Sequence, residues 1–228
     1  VISGLDQVNT EWTNTAPTID ITTSDYLLGT TCNGSGVVSV VIKDDAGVTV
    51  ASGASTVSYT VQPNYEGVHT WYIEATDAVG HTSTASVTTK YDITKPGIDG
   101  TEVTEVVNGV THSGYCKDNI INQHIDDESS RSENGANQSS GIKSVILYQV
   151  TGHNRKVIYS DQTQKMFEEP DTHSFFDMYY EIPRIENKSS YYEIIVMDFA
   201  GNKTTKKLIS QYSLLSWFHT SIDRSTYK

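Results

Sequence analysis

The sequence predicts an all-β protein built as two tandem antiparallel sandwiches, and three observations carry that expectation. Ser, Thr, Gly, Asn and Asp are plentiful and Pro is scarce at 5 residues, which suits short strands and tight turns. Apolar residues alternate: in "WYIEAT", Trp71, Ile73 and Ala75 share one face while Tyr72, Glu74 and Thr76 share the other, and Tyr192, Ile194 and Val196 repeat the inner face later. Period two with one apolar face describes a half-buried strand of an antiparallel sheet. The third observation is internal repetition.

Three anchors recur in the same order. "TAPTID" (Thr15 to Asp20) matches "TKPGID" (Thr94 to Asp99), with Pro17 and Pro96 separated by 96 − 17 = 79. "SGVVSVVI" (Ser35 to Ile42) matches "SGIKSVIL" (Ser140 to Leu147) at 140 − 35 = 105. "DAVGH" matches "DFAGN", with Asp77 and Asp198 separated by 198 − 77 = 121. The growing offset gives the second copy 105 − 79 = 26 extra residues before its middle anchor and 121 − 105 = 16 after it. The expected organisation is a linker or the end of a preceding repeat at 1–15, domains at 16–91 and 92–211, the second with two loop insertions, and a tail at 212–228.

In order, strands are expected near 18–22, 26–32, 37–43, 47–52, 56–61, 68–76 and 82–89. In the second copy they fall near 102–107, 110–116, 141–149, 155–160, 177–182, 190–197 and 203–209. "VVNGVT" (Val106 to Thr111) holds the Asn-Gly pair of a two-residue hairpin joining the first two of these. Seven short strands per copy, punctuated by turns, indicate a sandwich. Each copy closes on Asp-x-x-Gly, where Gly80 and Gly201 supply the positive φ of a bulged type I turn and Asp77 and Asp198 accept backbone N–H bonds across it. The segment 212–228 is expected to form a short helix on the second domain or to begin a further repeat.

Composition bounds the partners. The net charge of −12 disfavours a nucleic-acid backbone or an anionic membrane surface. No apolar run approaches the roughly 20 residues of a bilayer span. The two cysteines, Cys32 and Cys116, sit at corresponding places and are expected as buried thiols rather than a disulfide. The chain begins at Val1, and is read as a fragment of a longer protein.

The "KP-x-I-D" opening, the "SG[IV]xSV" strand and the "D-x-AGN" turn together resemble bacterial immunoglobulin-like domains, over roughly 16–211. The resemblance implies tandem immunoglobulin-like sandwiches in a secreted or surface-anchored bacterial protein. It implies a non-catalytic spacer or stalk, with adhesion to a glycan or protein as an added role and neighbouring domains of the same polypeptide as partners. The alternative is a carbohydrate-binding accessory module of an extracellular carbohydrate-active enzyme.

No catalytic constellation is legible: there is no nucleophile elbow, metalloprotease His motif or phosphate loop. Asp44-Asp45 and Glu168-Glu169 are adjacent acids in expected loops, without a partner carboxylate placed for glycoside hydrolysis. The first insertion, Lys117 to Gly141, is expected as a solvated loop; Asp118, Asp126, Asp127 and Glu128 in it offer hard oxygen ligands for Ca²⁺, although their spacing matches no EF-hand. Otherwise no cofactor is expected. The second insertion holds Phe175, Phe176, Tyr179 and Tyr180, which either pack in the sandwich or form a platform for stacking sugar rings.

Overall fold

The computed structural model describes residues 1–26, 34–99, 103–107, 110–114, 116–117, 120–127, 139–161, 175–181 and 190–208. Among them the regular structure is β-strand, with 3₁₀ turns at Leu5–Gln7 and Pro63–Tyr65. No described helix is long and apolar enough to cross a membrane. The chain divides into two compact modules, one of Val1–Ile93 and Arg131–Ser140, the other of Thr94–Ser130 and Gly141–Lys228.

The first module contains β1 (Ile2–Ser3), β2 (Trp12–Thr13), β3 (Thr18–Thr23), β4 (Val37–Lys43), β5 (Thr49–Gly53), β6 (Thr56–Thr60), β7 (Gly67–Asp77) and β8 (Thr82–Tyr91). They form two sheets, ordered β1-β3-β6 and β2-β8-β7-β4-β5. Alternation along β3 and β7 turns Ile19 and Ile21 from one sheet and Trp71, Ile73 and Ala75 from the other into a shared core with Val40, Ile42 and Val57. The Trp71 indole N–H donates to Thr89 Oγ1 at 2.8 Å, so the largest core side chain leaves no polar atom stranded.

Residues 1–15, expected as a linker or the end of a preceding repeat, fall within this compact module. Ile2 pairs with Thr23, and Val8 is buried in the core. Trp12 and Thr13 pair with Lys90 and Tyr91 in the first module's parallel ladder. Residues 27–33, which hold Cys32 and all but the first residue of the expected strand 26–32, lie outside the described residues.

The second module contains β9 (Gly97–Asp99), β10 (Val103–Val107), β11 (Val110–Gly114), β12 (Cys116–Lys117), β13 (Ile120–Asp126), β14 (Ile142–Thr151), β15 (Asn154–Asp161), β16 (Phe175–Glu181), β17 (Ser190–Asp198) and β18 (Lys203–Leu208). One sheet runs β12-β13-β16 with β9 also on β13, and the other runs β15-β14-β17-β18. Ile98, Ile125 and Met178 from the first sheet meet Val145, Leu147, Tyr192, Ile194 and Val196 from the second in the core. The inner face expected from alternation is therefore the buried one.

Two expectations are corrected here. Strands 102–107 and 110–116 do not open the sandwich: β10 and β11 pair with each other, Val107 opposite Val110, as a separate two-stranded sheet. The segment 117–141 does not begin as a loop, because β13 lies within it and pairs with both β9 and β16. Ile98 opposite Ile125 reproduces Ile2 opposite Thr23, so β9 stands for β1 and β13 for β3. "TAPTID" thus leads into β3 whereas "TKPGID" ends in β9, and the two are not equivalent. With Ile98 aligned to Ile2 (98 − 2 = 96), the offset grows by only 105 − 96 = 9 before the middle anchor.

Candidate functional site

Among the described residues the Asp-x-x-Gly turn occurs three times, once more than the repeat predicts. At the β7–β8 turn the Asp77 N–H donates to the His81 carbonyl at 3.0 Å and the Gly80 N–H to the Asp77 carbonyl at 3.2 Å. Asp77 Oδ1 accepts the N–H groups of Val79 and His81 at 3.0 and 2.8 Å. "DDAGV" does the same between β4 and β5: the Asp44 N–H donates to the Val48 carbonyl at 2.9 Å. Asp44 Oδ1 accepts from Ala46 and Val48 at 3.1 and 2.8 Å. At the β17–β18 turn the Asp198 N–H donates to the Asn202 carbonyl at 3.1 Å, and Asp198 Oδ1 accepts the Asn202 N–H at 2.7 Å. The third residue after each Asp has positive φ, at 79° (Gly47), 90° (Gly80) and 96° (Gly201), where a Cβ is disfavoured.

Each module ties its closing turn to the start of the SG strand through one glycine. The Gly36 carbonyl accepts the Ala78 N–H at 2.9 Å, and the Gly141 carbonyl accepts the Phe199 N–H at 3.0 Å. The N–H of the same glycine is taken by a second aspartate: Asp25 Oδ2 at 2.9 Å from Gly36, and Asp127 Oδ2 at 2.6 Å from Gly141. Both ladders carry a bulge at this spot, between Val37 and Ser39 and between Ile142 and Ser144. The two spellings recur together because their backbones touch.

The remaining carboxylate oxygen separates the three turns. Asp44 Oδ2 accepts the Tyr65 hydroxyl at 2.7 Å. Burial pushes the Asp44 pKa up, but the Tyr65 hydroxyl and the Val48 and Ala46 N–H groups together outweigh it and hold the group below its ordinary value. Seen from the other side, hydrogen bonding to Asp44, then burial, pushes the Tyr65 phenol up to about 12. Asp77 Oδ2 meets His81 Nδ1 at 3.0 Å. Burial opposes ionisation of Asp77, and the His81 N–H, the Ser35 hydroxyl and the His81 ring overcome it, so its pKa is lowered.

Asp198 differs. It is fully buried, and its Oδ2 has no partner of hydrogen-bonding geometry. Burial raises its pKa, opposed in part by the nearby Asn202 side chain and by backbone N–H groups of the turn. Asp127 is also buried, and the carboxylates of Asp127 and Asp198 approach to within 4.8 Å, oxygen to oxygen. These two acids form the second module's candidate site.

Of the acids singled out by sequence as calcium ligands, Asp127 is the one in this pair. Asp126, the preceding residue in an extended strand, is only part-buried and lies 4.0 Å from His124 Nε2. Asp118 and Glu128 lie outside the described residues. Phe175, Phe176, Tyr179 and Tyr180 fall in β16, which pairs along its length with β13; their side chains, and that of Cys116, are not among those described. The tail 212–228 is likewise outside them. The pairing of Asp127 with Asp198 carries no sequence signal, because it runs through the tertiary contacts of Gly141.

No family model and no curated protein matches the chain. Among solved structures it is similar to the fibronectin(III)-like modules of Clostridium thermocellum CbhA, at 15% identity and a TM-score of 0.33, with 94% of this chain and 96% of that chain covered.

Proposed function

We propose that the chain is a non-catalytic pair of immunoglobulin-like modules of a secreted or surface-anchored bacterial protein, serving as a spacer that holds under pull. The observation that supports this reading most is the ladder between β2 and β8, near the two ends of the first module. Trp12 pairs with Lys90 and Thr13 with Tyr91 in parallel, and the Asp92 N–H donates to the Thr13 carbonyl at 3.1 Å. Force applied to the ends of such a module loads these bonds together in shear instead of opening them one at a time.

The turn aspartates of the first module support the same role, since Asp44 and Asp77 are spent on backbone N–H groups, the Tyr65 hydroxyl and the His81 ring. Rings on the outer face of the second module's β14–β17 sheet are covered by cations: the Arg155 guanidinium lies 5.0 Å from the Tyr148 ring centre and the Lys207 ammonium 4.1 Å from that of Tyr191. Covered rings are poor platforms for a sugar.

A glycan array, followed by titration monitored through tryptophan fluorescence, tests this reading. The spacer role predicts no saturable sugar binding. Saturable binding that is lost in Phe176→Ala would instead assign the chain to carbohydrate recognition.

A further inference from the structure

We propose that the second module binds a hard divalent cation of the calcium class between Asp127 and Asp198, at the base of its closing turn. In three copies of one turn, the outer carboxylate oxygen is met by the Tyr65 hydroxyl at Asp44 and by the His81 ring at Asp77. At Asp198 that oxygen is buried and takes no hydrogen bond, while a second buried carboxylate stands within 4.8 Å. A buried carboxylate persists only with a compensating partner.

The first module shows what compensation by side chains looks like. Its corresponding acids are Asp25 and Asp77; the Ser35 hydroxyl donates to Asp25 Oδ2 at 3.3 Å and also serves Asp77. His81 completes the arrangement, and the second module has Asn202 at that position. Ser140 stands where Ser35 does, so the difference lies at His81, and a cation does for the second module what the His81 ring does for the first.

Geometry and chemistry agree on the class. Two ligand oxygens on one Ca²⁺ at 2.3–2.6 Å are at most about 5.2 Å apart, which accommodates the observed approach. A set of carboxylate oxygens without imidazole or thiolate suits the hard ions of the calcium class. Both acids are fixed before any ion arrives, because Gly141 donates its N–H to Asp127 and accepts the Phe199 N–H with its carbonyl. The pair is distinct from the cluster of acids in the segment 117–141 and shares only Asp127 with it. The proposal stands whether or not the modules act as a spacer.

The test is calcium titration of the full 228-residue chain after chelator treatment, by calorimetry and by thermal melting. One saturable site, half-filled at or below about 1 mM, is expected. Saturation should raise one melting transition by about 5 °C or more. Asp127→Asn and Asp198→Asn should each weaken binding at least about tenfold, the effect of removing one anionic ligand, while Asp77→Asn leaves it unchanged. Absence of heat and of any melting shift up to about 10 mM Ca²⁺ overturns the proposal with the unsubstituted protein alone, since even weak extracellular sites fill below that. Binding that survives both substitutions overturns it equally.

Discussion

Asp44, Asp77 and Asp198 occupy one position in one kind of turn, yet their charges are stabilised to different degrees. Backbone N–H groups serve Oδ1 in all three, so the difference lies in what reaches Oδ2: a phenol, an imidazole, or no hydrogen-bond donor. Tyr65→Phe should therefore destabilise the first module by about 2 kcal/mol, because it strands a buried oxygen as well as removing a bond to a charged group. Chemical denaturation followed through Trp71 measures this. The pH response follows by linkage. Asp44 and Asp77 have lowered folded pKa values, so the stability they add is present above the unfolded value of 3.8 and lost as pH falls through the folded one. Asp198 has a raised folded pKa, so its proton-linked stability is full below 3.8 and lost as pH rises through the folded value. In chelator, acidification from neutral pH towards about 4 should strengthen the second module while the first is unchanged, and further acidification should weaken the first. Melting both transitions across that range checks the sign for each.

Turns and strands are the scale at which the sequence could and could not be read. The alternation of Trp71, Ile73 and Ala75 marked the inner face of β7 because every second residue there is apolar. In β13 the inward positions near its end are Gln123 and Ile125, followed by Asp127, all buried, so polar residues break the period that identifies a strand. β9, at three residues, is too short to show any period. Aligning Pro17 with Pro96 then filled the gap with β10 and β11, whose Asn-Gly turn was plain, and produced an oversized insertion. The candidate site was half visible: Asp127 and Asp198 each stood out, but the backbone clamp through Gly141 that joins them is a tertiary contact. Two glycines test the element-scale account. Gly80 has positive φ and open space around it, so Gly80→Ala should cost only the strain of that conformation, about 1–2 kcal/mol. At Gly53, in β5, a Cβ would run into the Thr56 carbonyl, so Gly53→Ala should be the more destabilising of the two in a urea melt.

At the scale of the whole chain, the described residues hold one hydrophobic cluster in each module, and each module is expected to unfold as a cooperative unit closed by the same turn. A spacer needs each unit to keep its own core when stretched, and the parallel β2–β8 ladder is the part of the first module suited to bear the load. Single-molecule stretching of the full chain from its two ends measures this directly. Two discrete unfolding events are expected; that of the first module should release about 300 Å of chain, from roughly 90 residues at 3.3–3.6 Å each, and its force should fall when Thr13→Pro disturbs the ladder. A single cooperative event, or gradual yielding without peaks, would contradict that expectation.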